Sequence, residues 1–164
     1  MATVKATRAE SSFPVAGGVG NAASIKVAWG TYRFTTAASG AAATRVEFCK
    51  LPKGAVVIGG EYTIGKIETT TSGDTFDMDI GWANNGTDAS DTDGFGNFGL
   101  HAGFAAVTGY KPEATFMRLP LGGVLGTAGP KSFAAETTII GTVIASATNE
   151  ASATASVSVF YYVP

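Results

Sequence analysis

The stretch TFDMDIGW, residues 75–82, alternates more cleanly than any other part of the chain. Phe76, Met78, Ile80 and Trp82 fall on one side of an extended backbone, Asp77 and Asp79 on the other. That is the period of a β-strand with one apolar face and one polar face. The spacing makes Asp77 and Asp79 solvated face residues, about 7 Å apart along the strand.

Strand patterns continue on both sides. Upstream, IKVAWGTYRF (25–34) puts Ile25, Val27 and Trp29 on one face, and the apolar phase then passes to Tyr32 and Phe34. A slip at Gly30 suggests a bulge. TRVEFCKL (44–51) turns Val46 and Phe48 inward and Arg45 and Glu47 outward. AVVIGGEYTIGKIE (55–68) starts apolar on both faces and bends at Gly59-Gly60 before Tyr62 and Ile64. Downstream, FGNFGLHAGFAAV (95–107) is ambiguous, because its glycines weaken a helix by about 1 kcal/mol each. ATFMRLPL (114–121) reads as a strand limited by Pro120, and GGVLGTAGPKS (122–132) as a loop. TTIIGTVIASAT (137–148) and ATASVSVFYYV (153–163) form a terminal pair rich in β-branched residues.

Seven or eight strands with short turns and no βα alternation point to an all-β chain. An antiparallel, jelly-roll-like β-sandwich over residues 24–164 fits best, with an immunoglobulin-like sandwich second. Residues 1–23 lack a period, and FPVAGGVGNAA (13–23) is broken by Pro14. We read them as an extended N-terminal arm.

The chain has 164 residues and a net charge of −2, with 22 Gly and one Cys. One domain of this size buries a core without disulfides or metal. Cys49 alone forms no internal disulfide and fills space in its strand. The basic residues are scattered, which argues against nucleic acid as a partner. No apolar window has membrane-spanning length, and the first residues lack a signal peptide's apolar run. The expectation is a soluble protein made in the cytoplasm. Low charge with abundant Gly, Ala and Thr suits a surface that meets other subunits, or a small soluble sandwich.

Every aspartate lies between Asp74 and Asp93, a density that would suit a metal site or an acid/base pair. With Gly94 at the sixth position of an EF-hand, Asp93 and Asp91 fit, but Ala89 and Leu100 stand where ligands are required. Turn chemistry explains NNGTDASDTDG (84–94) better than a calcium loop of another kind. Asp77 and Asp79 could serve a glycosidase only if an apolar pocket raised one pKa, and a solvated face offers none. His101, the single histidine, has no Ser or Cys partner at motif spacing. No catalytic residue, metal or cofactor is expected.

Two stretches, CKLPKGAVVIGGEYTI (49–64) and FDMDIGWANNGTDASDTDGFGNFGL (76–100), together resemble tailed-bacteriophage virion proteins. The first is similar to an L-P-x-G-A-x-V strand entry. The second is similar to a D-x-G strand end, a small-residue link, an Asp pair and an aromatic-rich segment. The family is that of capsid decoration, or cement, proteins and related head accessory proteins. The resemblance implies a non-enzymatic β-sandwich bound to the outside of the head, on the major capsid protein, often as a homotrimer. The Asp cluster then serves shape and partner contact. The alternative is a carbohydrate- or receptor-binding head fibre domain, with Trp29, Trp82, Tyr110, Tyr161 and Tyr162 available to stack on sugars; alternation places both tryptophans in the core instead. Phe160 and Tyr162, on the less apolar face of the last strand, would be an exposed patch on a monomer, and such patches mark interfaces. The expected contact residues are therefore Phe13 and Pro14 in the arm, Asp88, Asp91 and Asp93 in the loop, and Phe160 and Tyr162.

Overall fold

The computed structural model describes residues 3–5, 24–35, 41–65, 76–98, 116–146 and 153–164. Ten strands and one short helix follow in chain order: β1 (Thr3–Lys5), β2 (Lys26–Phe34), β3 (Arg45–Leu51), β4 (Val56–Gly65), β5 (Asp77–Trp82), β6 (Asp91–Gly96), β7 (Phe116–Pro120), α1 (Val124–Thr127), β8 (Lys131–Ser132), β9 (Thr137–Ala145) and β10 (Ala153–Tyr162). They form two sheets. Sheet A runs β1-β3-β9-β5-β6, and sheet B runs β2-β10-β4-β7 with β8 paired to β4.

Without the short β1 and β8, eight strands remain. Taken in chain order, the first, eighth, third and sixth make sheet B. The second, seventh, fourth and fifth make sheet A. That is the double Greek-key order of a jelly roll. All of these pairings are antiparallel; β1 adds to β3 in parallel, with Val4 opposite Val46.

The strands form where alternation allows one face to be buried. On β10 the inward set is Ala153, Ala155, Val157, Val159 and Tyr161, all buried. Facing them on sheet A are Val46, Phe48, Met78, Ile80, Ile139 and Val143. Phe34, Phe76, Phe95, Phe133 and Tyr62 fill the space between the sheets. Each fully buried large apolar side chain contributes about 1.5–3 kcal/mol, which makes this layer the main source of stability.

Three sequence expectations change. Strand β2 has no slip at Gly30: its pairing with β10 runs in one register from Phe34 to Lys26. Ala28, Gly30 and Phe34 are the buried residues of β2, so Ile25, Val27 and Trp29 point outward. Gly30 is small because the backbone of β3 passes over it; a Cβ there would stand 1.9 Å from the Phe48 carbonyl oxygen. The irregularities lie elsewhere: between Glu47 and Cys49 on β3, between Phe160 and Tyr161 on β10 where it pairs with β4, and on β5 between Asp77 and Met78 beside β9 and between Ile80 and Trp82 beside β6. The first brings both Phe48 and Cys49 into the core. Second, Asp91–Gly96 is a strand, not only a loop: β6 closes the edge of sheet A beside β5. Third, GGVLGTAGPKS carries α1 and β8 within what reads as a loop.

Candidate functional site

The acidic stretch separates into three environments. The first is the loop from Asn84 to Ser90. Asn85 Oδ1 accepts the Thr87 and Asp88 amides at 2.9 and 2.6 Å, and Asn84 Oδ1 accepts the Gly86 amide at 2.7 Å. These side chains replace backbone partners that a tight turn lacks. The Asp88 carboxylate accepts from Asn85 Nδ2 at 3.0 Å, Lys131 Nζ at 3.3 Å and the Ala134 amide at 3.3 Å. The Asn85 bond, with Lys131 and Ala134 behind it, holds the Asp88 pKa below the usual carboxylate value. Lys131 also lies 5.0 Å from the centroid of Trp82 and 5.2 Å from that of Phe133. Trp82 meets Phe95 and Phe133 edge to face and donates its indole N–H to Ala89 O at 2.9 Å. The loop is thus fastened to the core from both ends.

The second environment is β6. Asp91 lies beside Asp93; burial first, and then the neighbouring Asp93 carboxyl group, raise the Asp91 pKa. Asp93 is exposed.

The third is the outer face of β5, which corrects an expectation. Asp77 and Asp79 are not solvated: they are 9% and 4% exposed. One oxygen of each has no hydrogen-bond partner. Desolvation, and next the charge of Asp77, push the Asp79 pKa up to about 6; the Phe98 amide pulls the other way and Asp93 adds to the rise. Burial raises Asp77 as well. Inside the sandwich, Tyr62 is raised by burial first and then by the charges of Asp77 and Asp79.

The outer face of sheet B is the reverse. Its side chains come from β2, β10 and β4 in register, with Val27 beside Phe160 beside Gly59, and Trp29 beside Ser158 beside Glu61. Tyr162 stands across from Val56 at the same end of the sheet, and the Phe160 ring lies against Gly59. Ile25, Val27, Trp29 and Ile58 are 66, 48, 47 and 39% exposed. Phe160 and Tyr162 are half-buried among them. Away from this end the same face turns polar. Thr31 Oγ1 meets Ser156 Oγ at 3.0 Å, and Arg118 pairs with Glu61.

Phe160 and Tyr162 therefore share one face with Ile58 and with Ile25, Val27 and Trp29, which the sequence pattern placed together on the opposite side of β2. Reading the phase of β2 backward from Phe34 without a slip would have found Val27 and Trp29. Trp82 is core, as alternation implied; Trp29 is not. Phe13, Pro14, His101 and Tyr110 lie outside the described residues. Asp88 is occupied internally, and Asp91 and Asp93 lie at the edge of the other sheet. Among the described residues no three His, Cys, Asp or Glu side chains cluster as a metal set, and no helix is long and apolar enough to cross a membrane.

No family model and no curated protein matches the chain. Solved structures do. The fold is similar to that of chains in bacteriophage capsids. A chain of the Ralstonia phage GP4 capsid aligns at a TM-score of 0.70 and 13% identity, covering 99% of both chains. A chain of the cyanophage Pam1 capsid asymmetric unit aligns at 0.64 and 22%, covering 94% of this chain and 95% of that one. A chain of the acidic stable capsid of Helicobacter pylori bacteriophage KHP30 aligns at 0.52 and 14%, over 85% and 88%. At such identities the likeness is one of fold.

Proposed function

We propose that this chain is a structural virion protein that decorates a bacteriophage head, binding the outer surface of the major capsid protein shell. The observation that carries this reading is the outer face of sheet B. Its apolar end joins Ile25, Val27, Trp29 and Ile58 to Phe160 and Tyr162. A monomer in water gains nothing from holding six such side chains on one side of a sheet, and aromatic residues are the usual anchors of protein contacts. The match of fold along nearly the whole chain to chains of phage capsids supports a shell protein as the occupant.

Several features belong to the same reading. The protein assembles as a homotrimer, is made in the host cytoplasm and has no enzymatic role. Within the arm, residues 1–23, Thr3–Lys5 pair with β3 of the same chain; the part beyond them lies along a neighbouring subunit, with Phe13 and Pro14 in contact, and the Asp88–Gly94 region touches the shell at its rim. Ordering the arm costs about 1–2 kcal/mol per backbone residue, so its contacts must exceed that. The test is co-sedimentation of purified protein with heads assembled without it, together with light scattering. Stoichiometric binding by a trimer, lost on removal of residues 2–20 while the sandwich stays folded, supports the reading. A monomer that leaves such heads bare overturns it.

One observation favours a second reading. The Trp29 ring is half-exposed and flanked by Thr31, Ser158 and Glu61, an aromatic platform beside hydrogen-bonding groups. A head fibre domain would stack a sugar there. Glycan-array binding abolished by Trp29→Ala would favour it; a blank array removes it.

A further inference from the structure

The outer face of sheet A holds a row of polar side chains that is buried and incompletely bonded. Thr142 on β9 stands directly opposite Asp79 on β5 and, on its other side, directly opposite Arg45 on β3. Residues opposite each other in an antiparallel pair project on the same face, with Cβ atoms about 4.5–5.5 Å apart. Asp77 is two residues from Asp79 and shares its face by alternation along β5, opposite Ala145 across the register shift between Asp77 and Met78. Four atoms of this row are buried without a hydrogen-bond partner: Asp77 Oδ1, Asp79 Oδ1, Thr142 Oγ1 and Arg45 Nε. Thr142 is 9% exposed, so its hydroxyl is enclosed together with the two carboxylates.

The charges do not balance. Arg45 is engaged by Glu47 at 3.3 Å on its own strand. Among the described residues, the charged groups acting on Asp79 are Asp77 and Asp93, both negative. Two enclosed carboxylates without a cation cost several kcal/mol unless something neutralises them. The orphan acceptors of the row, Asp77 Oδ1, Asp79 Oδ1 and Thr142 Oγ1, are all oxygens. Oxygen-only sets suit hard cations. Carboxylates about 7 Å apart along a strand can converge on one ion at Ca–O distances of about 2.3–2.6 Å.

We propose that Asp77, Asp79 and Thr142 form a binding site for a hard divalent cation, calcium in the first instance, on the outer face of sheet A. The ion bridges the two carboxylates and takes the Thr142 hydroxyl as a third protein ligand. The remaining coordination positions take water or backbone oxygen. Three protein ligands make a weak site, on the order of 10⁻⁴–10⁻³ M, the range of extracellular calcium modules. The site ties β5 to β9 on the side away from the core, and it stands whether or not the capsid reading does.

The test uses the full chain, stripped with a chelator and titrated with calcium chloride by calorimetry, with melting curves from 0 to about 10 mM calcium. One saturable site and a rise in Tm with calcium are expected. Asp79→Asn removes both. Thr142→Val keeps the shape, removes one oxygen and weakens binding. Asp91→Asn, outside the row, leaves the affinity unchanged. No saturable uptake by the wild-type chain, or wild-type affinity in Asp79→Asn and Thr142→Val, overturns the proposal and assigns the orphan atoms to buried water.

Discussion

The two outer faces of this sandwich invert each other, apart from Ile144 on β9 of sheet A, which is also exposed. On sheet A, polar residues that belong in water are buried: Asp77, Asp79 and Thr142. On sheet B, apolar residues that belong in a core are exposed: Ile25, Val27, Trp29 and Ile58. The inner faces follow the ordinary rule, with Phe48, Met78, Val157 and Tyr161 packed between the sheets. A sandwich strand usually buries one face and hydrates the other. Each departure carries a cost, in desolvated charge on sheet A and in hydrated apolar surface on sheet B. The inner layer provides stability, and the outer faces are where the chain departs from what stability alone would select.

The largest effect separates the two tryptophans. Trp82→Ala empties a site between Phe95 and Phe133 and should destabilise by about 3–5 kcal/mol. Trp29→Ala removes a half-exposed ring and should cost less than about 1 kcal/mol. Denaturant melts of both variants check this. Equal losses would mean that Trp29 is core and would undo the contrast between the faces.

Next is the buried carboxylate. The Asp79 pKa is raised to about 6 in the folded chain, against about 3.9 unfolded. The folded state therefore binds more protons than the unfolded state between those values, and stability falls as pH rises through that window. In chelator, the wild type should be more stable at pH 5 than at pH 7, with Asp77, Asp93 and Tyr62 as the neighbouring titratable groups. Asp79→Asn should be more stable than wild type at pH 7 by about 1–3 kcal/mol and lose most of the slope. A flat wild-type profile would return Asp79 to solvent.

The reading of β5 shows how far the sequence carried. Its apolar face was legible because Phe76, Met78, Ile80 and Trp82 are large and evenly spaced. Its other face was not, because burial of Asp77 and Asp79 depends on what covers the sheet. Strand β2 failed for a related reason: the residues that face inward at its centre, Ala28 and Gly30, are the small ones, so side-chain size pointed the wrong way. Strand β6, DTDGFG, has the composition of a turn, and pairing with β5 overrides it. Strand β10 was fully legible, since both its faces show in ATASVSVFYY. The Greek-key order follows from no local pattern; it emerges only from which strands pair.

A smaller effect tests the loop. Asp88→Ala removes the acceptor for Asn85, Lys131 and the Ala134 amide and should cost about 1–2 kcal/mol, read from thermal melts. A neutral result would make the loop's ties to the core incidental. Smallest is Arg118→Ala: its ion pair with Glu61 is exposed, and the change should stay within about 0–1 kcal/mol.

The central claim is that the apolar end of sheet B is covered by the capsid shell, and binding of the triple variant Val27→Ser, Trp29→Ser, Phe160→Ser to heads assembled without the protein tests it most directly. The account predicts a variant with the β spectrum and melting temperature of the wild type that no longer co-sediments with heads, its affinity reduced by at least about a hundredfold (roughly 2.7 kcal/mol). A folded variant that binds heads as tightly as the wild type would contradict it.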